Sequence, residues 1–363
     1  MKRLAMILGM FTLLLVSLSS AQQRWERNYG GTGNDEGSSV QQTSDGGYIV
    51  AGYTRSFGNG GDVYLIKTNA GGDTLWTRTY GGTGWDEGQS VRQTSDGGYI
   101  VAGFTNSFGN GSYDVYLVKT NAGGDTLWTR TYGGTSEDEG RSVQQTSDGG
   151  YIVAGYTGSF GNLYQVYLIK TNVSGDTLWT RTYGGTSTDR GNSVRQTSDG
   201  GYIVAGYTSS FGNGGQVYLI KINALGDTLW TRTYGGANDD YGWSVQQTTD
   251  GGYIMAGATN SFGNGSYDVY LIKTDANGSS GIEESQNAER GTRNAELRIS
   301  PNPFVSFATL PGHEAEQFSL YNISGRKVGT YRGDRIGEEL TPGVYFLRPE
   351  RGEARPLRIV KVR

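Results

Sequence analysis

Short apolar runs separated by glycine-rich turns fill most of this chain. YIVAGYT at Tyr48–Thr54 and VYLIKT at Val63–Thr68 are the first pair, and both recur downstream almost unchanged. Runs of this length, rich in β-branched and aromatic residues and bounded by turn residues, predict β-strands, and no stretch carries a helical period. Four segments make one unit, illustrated by Ser39–Thr43, Tyr48–Thr54, Val63–Asn69 and Leu75–Tyr80. Ser44-Asp45-Gly46-Gly47 joins the first two and Ala70-Gly71-Gly72-Asp73 the last two, with glycine supplying the positive φ of a tight antiparallel hairpin. The second and third segments are apolar on both faces. A sheet with one face in water would alternate, so both faces must be covered.

The unit recurs at Trp25, Trp76, Trp128, Trp179 and Trp230, with spacings of 51, 52, 51 and 51 residues. A four-stranded meander of about 50 residues that needs cover on both faces predicts a β-propeller blade, with its neighbours as the cover. A β-solenoid would need parallel strands, which the hairpin turns exclude. Residues 22–275 therefore predict an all-β, five-bladed propeller of four-stranded antiparallel blades. The first copy opens with a fourth-type strand and the last stops near Lys273 after three. The expected closure is an N-terminal strand, Trp25–Tyr29, added to the sheet of Ser244–Thr274, which would pair an edge otherwise exposed.

On the double glycine of Asp96-Gly97-Gly98-Tyr99 and its late Trp, the repeat resembles kelch-like blades of secreted bacterial propellers. Asn121-Ala122-Gly123-Gly124-Asp125-Thr126-Leu127-Trp128 is similar to the Trp-docking segment of quinoprotein-type propellers. Both resemblances speak to fold and not to activity.

Composition narrows the chemistry. With 0 Cys and 1 His among 363 residues, disulfides, thiolate chemistry, His-rich metal sites and a Ser-His-Asp triad in the repeats are excluded. The net charge of −4 divides as +2 over 1–21, −10 over 22–296 and +4 over 297–363, so the repeats offer nucleic acid no basic face. Lys2 and Arg3 precede an apolar run, Leu4–Val16, and Ser17-Leu18-Ser19-Ser20-Ala21 follows, the pattern of a signal peptide over 1–21 cut after Ala21.

In such a blade the loop between strands two and three and the crossing to the next blade share one end. There the repeats vary: the crossings read TGNDE, TGWDE, TSEDE, TSTDR and ANDDY. Variation at one end of a uniform scaffold marks the place for recognition. Six aromatics outside the repeated framework gather there, Trp85, Tyr113, Tyr164, Tyr241, Trp243 and Tyr267, and rings of this kind stack on sugar faces or simply pack the loops. Phe57, Phe108, Phe160, Phe211 and Phe262 recur identically and are expected to anchor the loops in the blade interior. Asp35, Asp86, Asp138, Asp189 and Asp240 stand one per blade; they either ring a channel and hold a cation such as calcium or cap their own loops. Paired acids such as Asp35 with Glu36 and Glu137 with Glu139 keep a glycosidase in view.

Residues 276–296 contain no aromatic and read as a linker. All 6 Pro lie after residue 300, and short apolar runs over 297–363 predict a small Ig-like β-sandwich. Ser300-Pro301-Asn302-Pro303, Leu320-Tyr321-Asn322-Ile323-Ser324-Gly325-Arg326, Pro342-Gly343-Val344-Tyr345-Phe346 and Arg358-Ile359-Val360-Lys361-Val362 stand in the order of a known tail. This segment resembles the type A C-terminal sorting domain of the type IX secretion system. The resemblance implies Sec export, recognition of the tail by an outer-membrane translocon, and surface attachment or release. Pro301, Asn302, Pro303, Gly325, Arg326, Pro342, Gly343, Tyr345 and Lys361 would carry the sorting signal. The expectation is a monomeric surface or secreted module that binds an extracellular glycan or protein. The alternatives are a polysaccharide-active enzyme and a passive surface-layer spacer.

Overall fold

The computed structural model describes residues 24–281, 305–310, 315–349 and 357–362. The chain divides into two compact units, 1–283 and 284–363. The signal segment, Pro301, Asn302 and Pro303 lie outside the described residues.

Unit one is a row of five antiparallel sheets, each built in chain order. The first is β1 (Asp35–Gln42), β2 (Tyr48–Thr54), β3 (Asp62–Thr68) and β4 (Thr74–Tyr80). The second is β5 (Asp86–Gln93), β6 (Tyr99–Thr105), β7 (Asp114–Thr120) and β8 (Thr126–Tyr132). The third is β9 (Asp138–Gln145), β10 (Tyr151–Thr157), β11 (Gln165–Thr171) and β12 (Thr177–Tyr183). The fourth is β13 (Asp189–Gln196), β14 (Tyr202–Thr208), β15 (Gln216–Ile222) and β16 (Thr228–Tyr234). The fifth has three strands, β17 (Asp240–Gln247), β18 (Tyr253–Thr259) and β19 (Asp268–Thr274). These repeated sheets are propeller-like blades. The first strands β1, β5, β9, β13 and β17 pack on one another in succession and so form the inner rim.

The meander follows from the turns. Thr43 accepts from Gly46 N–H and donates to Gly47 C=O, both at 2.9 Å, with Gly46 at φ +82°. The alternation along β2 and β3 then splits each blade into a leading and a trailing apolar face. In the third blade Ile152, Ala154, Val166 and Leu168 meet Val194, Tyr202, Val204 and Ile220 of the fourth. Each fully buried aliphatic side chain of this kind contributes roughly 1.5–3 kcal/mol.

A buried lysine ties the other end of each of the first four blades. Lys119 Nζ lies 2.9 Å from Asp96 Oδ2 and also donates to Thr120 C=O at 2.9 Å; Lys67, Lys170 and Lys221 do the same with Asp45, Asp148 and Asp199. Burial works to raise the carboxyls of Asp96, Asp148 and Asp199, but the lysine, a threonine hydroxyl and a glycine N–H outweigh it and hold each at about 2. These carboxylates sit lower folded than the ordinary value of about 3.9, so their stabilisation is complete above about pH 4 and is lost as pH falls towards 2. Urea titrations at stepped pH should show the midpoint dropping through that window. Lys119→Met should flatten the drop; a wild-type midpoint constant from pH 5 to 2 would contradict the assignment.

The expected closure does not form. Residues 24–30 carry no strand, and they lie on the first blade instead of pairing with β19. Trp25 Nε1 donates to Ala70 C=O at 2.9 Å, Tyr29 hydroxyl donates to Gly72 C=O at 2.6 Å, and the Trp25 ring meets Tyr48 edge-on at 5.7 Å. Trp76 and Tyr80 of β4 hold the second blade in this same way, through Tyr99 and Gly124 C=O. The segment is thus a fourth strand's outer layer without its sheet. The fifth blade does not reach it: Val40 on the first leading face is 63% exposed, and Val269 and Leu271 on the fifth trailing face are 86% and 66% exposed. The turn Asp275–Ser279 repeats the form of Asn69–Asp73 and accepts the Tyr234 hydroxyl on Gly278 C=O, so the blade runs on into the first residues of the segment 276–296 expected as a linker.

Unit two is, among the described residues, one antiparallel sheet ordered β21-β20-β22-β23, with β20 (Gln317–Asn322), β21 (Lys327–Arg332), β22 (Gly343–Pro349) and β23 (Leu357–Lys361). A bridge pairs Ala308 with Ile336, and both pack with Phe318, Leu320, Leu347 and Ile359. The second sheet of a sandwich is not present among these residues. The motif residues have structural roles: Asn322 Oδ1 accepts from Ser324 and Arg326 N–H around Gly325 at φ +77°, and buried Lys361 Nζ donates to Ser306 C=O at 2.5 Å and Gly337 C=O at 3.1 Å. Pro342-Gly343 leads into β22, and Tyr345 hydroxyl donates to Thr341 C=O at 2.9 Å.

Candidate functional site

The variable loops do share one end. Gly61, in the β2–β3 loop, bridges to Trp85 in the crossing to the second blade, and Arg55 N–H donates to Asn34 C=O at 2.8 Å. Each crossing is pinned by its aspartate. Gly31, Gly82, Gly134, Gly185 and Gly236 N–H donate to Asp35, Asp86, Asp138, Asp189 and Asp240 at 2.8–2.9 Å. Ser56, Ser107, Ser159, Ser210 and Ser261 hydroxyls donate to the same carboxylates at 2.5–2.7 Å. They cap their own loops, and among the described residues no three His, Cys, Asp or Glu side chains gather around one point.

The six aromatics fall into two groups, and two of them, Tyr241 and Trp243, stand on the inner strand β17 instead of in a loop. Trp85 packs on Tyr53 at 4.9 Å beneath the Arg55 guanidinium, Tyr113 on Phe104 at 5.0 Å, and Tyr164 on Tyr156 at 5.1 Å. In each case a framework ring at the same position of the blade's second strand takes the loop ring. The fifth blade has Ala258 there. Tyr267 therefore leans on Tyr241 at 6.0 Å, and Tyr241 lies between Tyr207 at 4.7 Å and Trp243 at 5.3 Å, with interplanar angles of 16° and 8°. Tyr207, Tyr241 and Trp243 form a stepped, nearly parallel stack with Trp243 52% and Tyr267 50% exposed. Burial pushes the Tyr241 hydroxyl up to about 12, so it stays a neutral donor at any ordinary pH. The five repeated Phe are not interior: each lies 5.6–5.8 Å from a third-strand Tyr with its outer side in solvent, because the loop carries the ring over the rim instead of into the sheet.

A second variable row stands on the inner strands, outside the loops. The second residue of the inner strands reads Glu36, Glu87, Glu139, Arg190 and Tyr241 across the five blades, and the fourth reads Ser38, Gln89, Arg141, Asn192 and Trp243. The acids are all engaged. Tyr156 and Tyr164 hydroxyls donate to Glu137 at 2.6 and 2.8 Å, Arg190 lies over both those rings at 4.8 and 5.2 Å, and Arg141 pairs with Glu139 at 2.7 Å. Burial raises Glu139, whereas for Glu137 burial is outweighed by the two tyrosine hydroxyls, which lower it. Columns that change charge while their neighbours stay constant are the signal that finds this row.

Repeated four-stranded antiparallel blades define the first unit as β-propeller-like. No family model matches the chain. It is similar to the regulatory protein FlaEY of Caulobacter vibrioides, 32% identical over 107 residues, a match spanning 26% of this chain and only 11% of FlaEY. Among solved structures it is similar to the Neurospora crassa Pan2 WD40 domain, with TM-score 0.44 and 11% identity over 80% of this chain and 76% of that one. It is also similar to PorZ of Porphyromonas gingivalis, a bacterial surface component of the type-IX secretion system, with TM-score 0.31 and 10% identity over 90% of this chain and 51% of PorZ. An ancestral GH74 enzyme gives TM-score 0.36 and 12% identity over 86% of this chain and 41% of the enzyme. Likeness at this level transfers no activity.

Proposed function

We propose that this chain is an exported, non-catalytic binding module for an extracellular glycan, delivered by its C-terminal sorting segment. The observation that supports it is the Tyr207–Tyr241–Trp243 stack with Tyr267 beside it, an apolar platform two of whose rings are half in water. Flat exposed rings of this kind suit the C–H face of a sugar, and Asn192, Asp239 and Arg190 stand on the same blades to bond hydroxyls. Trp85, Tyr113 and Tyr164 serve the loops instead.

Retention on a panel of immobilised polysaccharides tests this. Trp243→Ala should weaken retention about tenfold, the loss of one stacking ring. Trp85→Ala should lower stability and leave retention intact. Equal retention by wild type and Trp243→Ala defeats the reading. A second reading, a polysaccharide-active enzyme, is favoured by Glu137 and Glu139, neighbouring acids whose environments push them in opposite directions. Oligosaccharide released by wild type but not by Glu139→Gln would select it.

A further inference from the structure

The two ends of the blade row carry the two kinds of apolar face that pack together inside it. The trailing face presents Ile, Ala, Val and Leu in every blade: Ile152, Ala154, Val166 and Leu168 in the third, and Ile254, Ala256, Val269 and Leu271 in the fifth. The leading face of the first blade presents Val40, Tyr48, Val50 and Ile66, the same residue types as Val194, Tyr202, Val204 and Ile220 in the fourth. Within the chain these faces bury each other four times over. At the ends their outer part opens: Val91, Val143, Val194 and Val245 are all 0% exposed, but Val40 is 63% exposed and Tyr48 and Val50 are partly exposed, with Ile66 still buried beneath them. Lys273 shows the same contrast, its side chain 44% exposed where Lys67, Lys119, Lys170 and Lys221 are 3–4% exposed.

The outer layer is complementary too. Among the described residues the fifth sheet stops at β19. In the fourth blade the missing place is filled by Trp230, opposite Lys221, and Tyr234, opposite Val217. Trp25 and Tyr29 have the same separation, and they already sit on the first blade as Trp230 and Tyr234 sit on the fifth. Arg27 lies 3.7 Å from Asp73, as Arg78 lies 3.6 Å from Asp125.

We propose that the chain self-associates head to tail: the fifth blade of one copy docks on the first blade of a second copy, whose Trp25–Tyr29 becomes the missing fourth strand beside β19. The contact would match the third-to-fourth blade interface residue type for residue type, so a second copy of this chain is the occupant the surface fits. It is heterologous, and leaves a free head and a free tail after each addition. The inference goes beyond glycan binding and uses other residues. Trp243 lies on β17 near the junction, so mass and retention are read on different variants.

Sedimentation of the full chain over a range of concentrations should show mass rising from one copy to two and beyond. Val40→Asp and Leu271→Asp change exposed positions, so each variant should keep its circular dichroism and unfolding midpoint. Each alone should sediment as a monomer. Mixed, they should give a species of twice the monomer mass and nothing larger, because each retains one good face. The idea is overturned if the wild type stays monomeric throughout, as it would if its own N-terminal segment closed the ring. Self-association of either single variant, or no pairing in the mixture, overturns it equally.

Discussion

Leu168→Ala should destabilise the repeat unit by about 3 kcal/mol, whereas Leu271→Ala at the equivalent place in the fifth blade should change stability by less than about 0.5 kcal/mol in dilute solution. Leu168 has no exposed surface and is enclosed by the fourth blade; Leu271 is 66% exposed. Truncation of the first opens a cavity between two rigid sheets, and truncation of the second removes atoms already in water. Urea unfolding monitored by tryptophan fluorescence measures both. Equal costs would mean that the fifth blade is covered in solution. Cost at Leu271 that appears only at high concentration would be the stability signature of head-to-tail association.

Gly155→Ala, like the same change at Gly52, Gly103 and Gly257, should be strongly damaging for a single methyl addition. A Cβ there would stand 1.7 Å from Glu139 C=O and 2.8 Å from its carbonyl carbon, both backbone atoms of the neighbouring inner strand. The register shifts between Ala154 and Gly155, and glycine lets β9 and β10 approach through that bulge. The methyl must drive the strands apart beside the buried Asp138 and Glu139, at a cost of about 3 kcal/mol or more. Gly149→Ala is the control. Its Cβ would meet nothing within 4 Å, and the penalty is only the left-handed φ of +82°, about 1–2 kcal/mol. If Gly149→Ala proves the costlier, the close approach of the inner strands is misassigned.

Much of this was legible from spacing and side-chain type. The Asp-Gly-Gly turns, the strands they join and the end at which the loops gather follow from local rules, since hairpin geometry is set within a few residues. The lysine that ends each YLIK run was legible in principle, being a constant charge in a buried strand, but its pairing with an aspartate 22 or 23 residues earlier needs the hairpin folded. The aromatics show the boundary most clearly. Trp85 and Trp243 both stand outside the constant framework of the repeat, yet Tyr53 takes one while the other stacks in the open, and Ala258 in place of a ring decides how the fifth blade's aromatics gather.

Closure was not legible in the sequence. A repeat phase that starts with a fourth strand and ends with three suggests a ring, because counting strands treats ends as if they must meet. Whether they meet depends on the angle between successive blades, which is set by how side chains mesh across each of four interfaces, and small rotations add along the row. The sequence alone determined the unit: its four strands, its turns, its two apolar faces and the identity of those faces from blade to blade. Tertiary packing alone decided that the row ends with both faces open, because that outcome is a sum over interfaces that no single repeat contains.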